Sequence, residues 1–427
     1  MEIIRNPKYN DFAEISKRPV IDLAALNETV TTVLSDIGAR GDEAVKDYEK
    51  KFDKAELSDL LVSKAEIDAA MKEVAPELLE AIKLAHSNIS KFHESQKFEG
   101  RVVETCKGVK CWQKSVAIEK VGLYIPGGTA PLFSTVLMLA IPAKIAGCKE
   151  IVLCTPPSKE GKVNAAILAA AEVAGVSKIF KIGGVQAIGA MAYGTESVPK
   201  VYKIFGPGNR FVMAAKQAVS LSDVAIDMPA GPSEVCVVAD ETSNPVFVAA
   251  DLLSQAEHGT DSQVLLISTS EEMLYKVKDE VERQVELLPR KEMAKKTLEN
   301  SRLVLVNDYD EAMQLSNAYA PEHLILASEN YEQLADKVVN AGSVFLGNYA
   351  CESAGDYASG TNHTLPTHGW ATCYSGVNLD SYMRKVTFQH LTAEGVASIG
   401  KAVELMAEAE SLDAHKNAMT VRIKYVN

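Results

Sequence analysis

A chain of 427 residues is longer than one hydrophobic core ordinarily serves, so more than one domain is expected. Its 47% hydrophobic and 24% charged residues mark a soluble globular protein, and a net charge of −13 argues against a general nucleic-acid or anionic-membrane surface. The opening Met1-Glu-Ile-Ile-Arg-Asn-Pro7 lacks the basic start and apolar core of an export signal.

Residues 1 to about 100 read as helical. Ser63-Lys-Ala-Glu66 has the capping-box form, and Pro76 opens a second helix toward Gly100. From about residue 117, short Val- and Ile-rich runs alternate with helical stretches. Ala117–Tyr124, Glu150–Cys154, Lys178–Ile182 and Val201–Phe205 read as strands, separated by helices near 131–146, 164–174, 185–192 and 209–219. The most apolar stretch, Leu132–Ala143, is too short to span a bilayer and contains Pro142, so it reads as a buried helix.

After Ile226-Asp-Met-Pro-Ala-Gly-Pro232 the alternation restarts. Val235–Ala239, Val264–Ser268, Leu303–Val306, Leu324–Ala327 and Val344–Leu346 are the next strands, with helices near 245–258, 271–286, 309–317 and 331–339. Near-continuous apolar strands alternating with helices imply parallel sheets covered on both faces. The tail from about 378 reads as helix, with no further strong strand signal. Seven scattered cysteines without a CxxC pair suit reduced thiols, which points to the cytoplasm.

Four constellations carry candidate chemistry. In Leu253-Ser-Gln-Ala-Glu-His-Gly-Thr-Asp261, Gln255 and His258 lie three apart at the end of a helix that Asn244 caps, Pro245 opens and Gly259 can end in a left-handed conformation. The pair can hold a metal or substrate, or His258 can simply complement the helix dipole. Tyr124-Ile-Pro-Gly-Gly-Thr129, Gly183-Gly-Val-Gln186 and Phe205-Gly-Pro-Gly-Asn209 each join a strand to a helix. Such loops can aim backbone N–H groups at a phosphate, or their glycines can merely permit tight turns. None is a GxGxxG fingerprint, and Cys154-Thr155-Pro156 lacks the usual acidic residue for a ribose. Ala320-Pro-Glu-His-Leu324 sets a carboxylate beside an imidazole; both can serve one pocket only from the loop before the strand. Glu352-Ser-Ala-Gly-Asp-Tyr-Ala-Ser-Gly-Thr-Asn-His363 places Asp356 and His363 in a loop-rich region. A terminal helix carrying Glu410-Ser-Leu-Asp-Ala-His415 reads, on its own, as a docking or oligomer helix.

Taken together these segments resemble the histidinol dehydrogenase family. The resemblance runs from about Gly122 to Ala418. It rests on Gly-Leu-Tyr-Ile-Pro-Gly-Gly, Lys-Ile-Phe-Gly-Pro-Gly-Asn, Ile-Asp-Met-Pro-Ala-Gly-Pro-Ser-Glu, Leu-Leu-Ser-Gln-Ala-Glu-His-Gly, Pro-Glu-His-Leu-Ile, the Glu352–His363 run and Ala-His-Lys-Asn-Ala, all in order. It implies a zinc- and NAD-dependent oxidation of L-histidinol to L-histidine through an aldehyde. Zinc ligands would fall on Gln255, His258, Asp356 and the partner subunit's His415. The catalytic pair would be Glu322 and His323. Substrate contacts would include Ser233, His363 and the partner's Glu410, besides the zinc ligands and His323. Nucleotide contacts would fall on Tyr124, Gln186 and Asn209.

The fold implied is α/β: two incomplete Rossmann-like lobes with parallel sheets, plus helical terminal segments, in an intertwined homodimer. The expected organisation is an arm over 1–22, one lobe from 23–125 with 234–377, a nucleotide-side lobe over 126–233, and a tail over 378–427 reaching the partner. Neither nucleic acid nor membrane is an expected partner. Rival readings are a relative oxidising another alcohol such as a sulfonated diol, a zinc hydrolase using the same residues without NAD, and a two-lobed ligand-binding protein.

Overall fold

The computed structural model describes residues 1–19, 24–127 and 131–426. The expected boundary at 22/23, together with Gly128 and Thr129 of the first glycine-rich loop, lies outside the described residues. Three sheets organise the chain, with strands numbered along the sequence.

One sheet joins β4 (Lys120–Tyr124), β5 (Glu150–Thr155), β6 (Lys178–Lys181), β7 (Lys203–Phe205) and β8 (Ala225–Ile226) in the order β6-β5-β4-β7-β8, all parallel. The chain runs outward from β4 through β5 to β6, then returns to place β7 on the other side of β4. That reversal opens a crevice at the carboxyl ends of β4 and β7, where nucleotides bind in folds of this kind.

A second parallel sheet joins β1 (Glu2–Arg5), β9 (Glu234–Ala239), β10 (Gln263–Ser268), β11 (Arg302–Leu305), β12 (His323–Ala327) and β13 (Ser343–Leu346) in the order β1-β11-β10-β9-β12-β13. Every residue of β9, β10 and β12 is buried, as a sheet covered on both faces requires. The third sheet is antiparallel: β2 (Val103–Cys106), β3 (Val109–Ala117) and β14 (Met383–Leu391), ordered β14-β3-β2.

The parallel sheets and their helices follow the expected alternation. Ser63 forms its capping box with Glu66, and Pro76–Glu94 is one helix opening on Pro76. Phe133–Ala146 buries every residue from Ser134 to Ala143 despite Pro142. No described helix is long and apolar enough to cross a membrane.

Other elements differ from expectation. The arm is not all helix, because Glu2–Arg5 adds a parallel edge strand beside β11. The run Ala117–Tyr124 breaks at Ile118–Glu119 and serves two sheets, so β3 and β4 are separate strands. The tail contains a nine-residue strand, β14, paired with β3 along its whole length. Six of its nine residues are exposed, Val386 and Phe388 among them, and its stability comes from cross-strand pairs such as Phe388 stacked on Trp112 opposite it, at 5.4 Å between ring centres. The Pro245–Ala256 helix ends through Glu257 in a right-handed conformation, not through a left-handed Gly259.

The expected grouping of residues 23–125 with 234–377 also differs from the pairing seen. Strand β4 is the centre of the five-stranded sheet, and the N-terminal helices cover that same lobe. Val30, Val33, Leu34 and Ile37 of Ala24–Arg40 pack with Ala187, Ile188 and Val212, while Ile82, Ala85 and Ile89 of Pro76–Glu94 pack with Val136 and Ala140. Each large apolar side chain so buried stabilises by roughly 1.5–3 kcal/mol.

A buried ion pair fixes the loop after β7. Lys216 Nζ lies 2.5 Å from Asp227 Oδ1 and donates to Gly206 O at 2.8 Å, while Asp227 Oδ2 accepts the Gly206 N–H at 2.8 Å. Gly206 has φ +125°, and a Cβ there would come 2.1 Å from Tyr124 O. Lys216→Met leaves Asp227 buried without its cation and is expected to cost roughly 3–5 kcal/mol. Urea denaturation checks this; a Lys216→Met/Asp227→Leu double variant should recover much of the loss, and an unchanged midpoint in the single variant would refute the role.

Candidate active site

The helix Tyr309–Tyr319 ends at Ala320, a non-glycine residue with φ +49°, and Pro321 then turns the chain into β12. Glu322 and His323 therefore sit at the amino end of that strand, both buried. Glu322 Oε2 accepts the Glu234 N–H at 2.9 Å, which fixes it beside the start of β9. It lies 3.7 Å from His323 Nδ1. The N-terminal arm braces this corner: Arg18 grips the Glu234 carboxylate with two bonds of 2.6 and 2.8 Å and lies over the Tyr319 ring.

Two further segments converge on the imidazole. The helix Pro245–Ala256, capped by Asn244, runs from the carboxyl end of β9 back to its amino end, so Gln255 in its last turn arrives at His323. Gln255 Nε2 is 3.1 Å from His323 Nδ1 and 3.4 Å from Glu322 Oε2. On the far side, Asp356 Oδ1 stands 3.5 Å from His323 Nε2. Asp356 and Glu352 are four apart on the helix Glu352–Tyr357 and so share a face. Ligand atoms of His323, Glu352 and Asp356 all lie within 4.8 Å of one another.

His363 ties this cluster to the other lobe. Its Nδ1 is 2.9 Å from Asp356 O, and its Nε2 is 3.0 Å from Thr135 Oγ1 on the helix that follows β4. Next to it, Asn362 donates to Met138 O at 2.6 Å. The carboxyl edge of one parallel sheet thus meets the amino edge of the other.

The electrostatics are those of a crowded acid site. Burial alone would lower the His323 pKa, but Glu352, Glu322 and Asp356 around it push it up to about 10. Burial pushes Glu322 and Glu352 up to about 8, against the pull of His323. Against its own burial, the imidazoles of His323, His363 and His258 hold Asp356 below its ordinary value. Gln255 Oε1, His323 Nε2 and Glu352 Oε2 are buried without a hydrogen-bond partner. The unpaired Gln255 Oε1, the Asp356 carboxylate and the His258 imidazole are donors of the kinds a small divalent cation takes.

The other expected residues are distributed as follows. His258 reaches solvent at the rim, within electrostatic range of Asp356, His323 and His363. Ser233 immediately precedes β9 and is partly buried. Glu410 and His415 are exposed in the tail and meet none of these groups within the chain. Tyr124, Gln186 and Asn209 stand at the carboxyl ends of β4, β6 and β7. Tyr124 Oη accepts the Gly184 N–H at 3.1 Å, and Asn209 caps its helix by accepting from the N–H groups of Phe211 and Val212. Gln186 Nε2 donates to Glu49 Oε1 at 2.8 Å and Asp53 Oδ2 at 3.3 Å.

Sequence reasoning missed Glu49, Asp53, Glu234, Thr135 and Glu352. For Glu352 a signal was present, its four-residue offset from Asp356. Glu49 and Asp53 sit in a charge-rich helical region where nothing local distinguishes them.

Two open parallel sheets joined at a buried imidazole–carboxylate cluster define an α/β protein with a candidate active site between its lobes. A family model described as histidinol dehydrogenase matches residues 16–423. The histidinol dehydrogenases of Bacteroides fragilis and Bacteroides thetaiotaomicron are each 64% identical, over 100% and 99% respectively of both chains compared. The crystal structure of histidinol dehydrogenase from Elizabethkingia anophelis matches with a TM-score of 0.98 at 56% identity, covering 100% of this chain and 99% of that one. The chain belongs to the histidinol dehydrogenase family and is an oxidoreductase.

Glu49 yields a pH-dependent expectation. Burial pushes its carboxyl from 4.5 up to about 8, so the folded protein holds a proton there that the unfolded chain has released. Stability should fall as pH rises through that window, and Glu49→Gln should remove the effect. Relative to that variant, wild type should lose on the order of 1 kcal/mol per pH unit between about pH 5 and about pH 8. Parallel urea midpoints for both proteins across that range would show an ordinary carboxyl.

Proposed function

We propose that this chain oxidises L-histidinol to L-histidine, the closing steps of histidine biosynthesis. Two hydride transfers to NAD⁺ proceed through L-histidinal held in the site, with one Zn²⁺ per site in a homodimer. The observation that carries this reading is the convergence of Gln255, Glu322 and Asp356, from three separate segments, on the buried His323 ring between the lobes.

Gln255, His258 and Asp356, with His415 of the partner subunit, would hold the zinc; oxygen and imidazole donors suit that ion. When bound, zinc anchors the amine and imidazole of the substrate, and NAD⁺ between Tyr124, Gln186 and Asn209 accepts hydride. The unpaired buried Gln186 Oε1 supports a ligand at those loops. Ser233, His363 and Glu410 of the partner subunit complete the substrate contacts.

His323 is the base. Its Nδ1 faces Gln255 and the Glu234 carbonyl, which fixes the ring and leaves Nε2 to take the hydroxyl proton as the alcohol's C–H bond breaks. Glu322 then takes a proton from water as its oxygen adds to the aldehyde carbon, while His323 returns its proton to the former carbonyl oxygen, giving a gem-diol. His323 removes a gem-diol proton in the second oxidation, which ends in the carboxylate.

Two experiments test this assignment. His323→Asn should lower both half-reactions by roughly 10²–10⁴-fold, whereas Glu322→Gln should keep alcohol oxidation and fail mainly beyond the aldehyde. Single-turnover counting of reduced nicotinamide gives two equivalents per histidinol in wild type and one in Glu322→Gln; equal loss in both halves overturns the division. Mixing inactive His258→Ala and His415→Ala subunits should restore activity, since a mixed dimer holds one site with all its ligands. Absence of recovery after demonstrated subunit exchange would show that the tail serves its own chain.

A further inference from the structure

The five-stranded sheet has the strand order of a dinucleotide-binding fold, in which the strand beside the central one ordinarily ends in an acid that accepts a ribose hydroxyl. Here that strand is β5, and Cys154-Thr155-Pro156 supplies no carboxylate. A carboxylate arrives instead from outside the sheet.

Asp53 ends the helical turn Glu49–Asp53 and comes to rest at the carboxyl ends of both β5 and β6. A Cβ added to Gly183 would lie 2.7 Å from Pro156 Cβ and 3.2 Å from Asp53 Oδ2, which places Asp53 against both loops. Glu49, fully buried, forms the layer behind. Its Oε1 accepts from the Gly183 N–H and from Gln186 Nε2, both at 2.8 Å. Two bonds from Nε2, to Glu49 and to Asp53, orient the Gln186 carboxamide. The orientation leaves Gln186 Oε1 buried with no partner, although the residue is only 1% exposed. An unsatisfied buried acceptor is costly, and a donor brought by a ligand relieves it.

Asp53 is partly exposed and Gln186 Oε1 lacks a donor, so a ligand seated on these loops would meet two acceptors. Two adjacent acceptors match a vicinal diol, which brings two O–H donors. We propose that Asp53 and Gln186 together bind the diol of the adenosine ribose, and that Asp53 makes the enzyme select NAD⁺ over its 2′-phosphorylated form. A 2′-phosphate removes one donor and sets negative charge against the Asp53 carboxylate. Glu49 is a positioning residue that holds Gln186 and Gly183 for this contact. The assignment rests on the NAD-linked reading given above.

Calorimetric titration of the purified enzyme with NAD⁺, NADP⁺ and the NAD⁺ analogue carrying 2′-deoxyadenosine tests it, alongside KM and kcat with histidinol. Wild type should favour NAD⁺ by on the order of 100-fold over NADP⁺ and by about tenfold or more over the deoxy analogue, as a charged hydrogen bond implies. Asp53→Asn should weaken NAD⁺ by about tenfold, raise KM with kcat changed less than about twofold, and shrink the NADP⁺ penalty. Asp53→Glu, which keeps the charge, should retain discrimination against NADP⁺. Unchanged NAD⁺ affinity and preference in Asp53→Asn overturn the Asp53 assignment alone, whereas wild type that binds neither dinucleotide overturns the NAD-linked reading as well. Should the Asn variant not fold, equal affinity of wild type for NAD⁺ and the deoxy analogue overturns the proposal by itself.

Discussion

The site is organised by the problem of surrounding one buried imidazole with carboxylates. Glu322, Glu352 and Asp356 all act on His323, and His323, Glu322 and Glu352 are buried. Negative charge at that density in a low-dielectric interior is destabilising unless positive charge or directed hydrogen bonds answer it. The chain answers with structure: the Glu234 N–H on Glu322, the Arg18 fork on Glu234, and three imidazoles around Asp356. These partners come from the N-terminal arm, β9, the end of the Pro245–Ala256 helix, β12 and the segment beyond β13. The cluster is therefore a tertiary object, and each element that reaches it is held in place by the charges it helps to balance.

The two lobes use their sheets differently. In the five-stranded sheet the glycine-rich loops stand at the carboxyl ends of the strands, the usual edge for a ligand in an open α/β fold. In the six-stranded sheet Glu322 and His323 stand at the amino end of β12. A helix connecting parallel strands runs antiparallel to them, so the last turn of Pro245–Ala256 returns to that amino end and brings Gln255 with it. In the proposed reaction, opposed edges would let one lobe hold the nucleotide while the other presents His323 as base. The His363–Thr135 contact is a physical link between the two.

Features legible in the sequence were those written by local rules. The β/α alternation, the Ser63 capping box, the Asn244 cap and the Phe133–Ala146 core helix all depend on neighbours within a few residues. Gln255 and the Pro-Glu-His run were visible for the same reason, being short motifs at element ends. Strand β14 was not, because half its residues are polar and its stability lies in a partner strand more than 250 residues away in sequence. Glu49 and Asp53 were equally hidden, since a carboxylate in a charge-rich helix gains meaning only when a loop over a hundred residues distant closes on it. The lobe assignment of residues 23–125 failed on the same ground: the partner of an amphipathic face is decided by tertiary packing.

The tail is the part of the chain whose shape its own packing explains least. Ala393–Ala409 and Asp413–Val426 fold as a hairpin after β14, close enough that a Cβ on Gly400 would meet Ile423 at 2.8 Å. The second helix buries no residue, and Leu405, Met406, Leu412, Val421 and Tyr425 are exposed along the pair. A helix of fourteen residues is marginal by itself in water, so apolar surface of this kind calls for cover. Glu410 ends the first helix and His415 lies in the first turn of the second, which sets both at the hairpin tip. Seventeen residues of helix carry that tip about 25 Å from the sheet that anchors it. In the proposed dimer such a reach would suit the neighbour's cleft. There, covering the apolar hairpin and delivering its two polar groups are one event, so the association that stabilises the tail also completes the site.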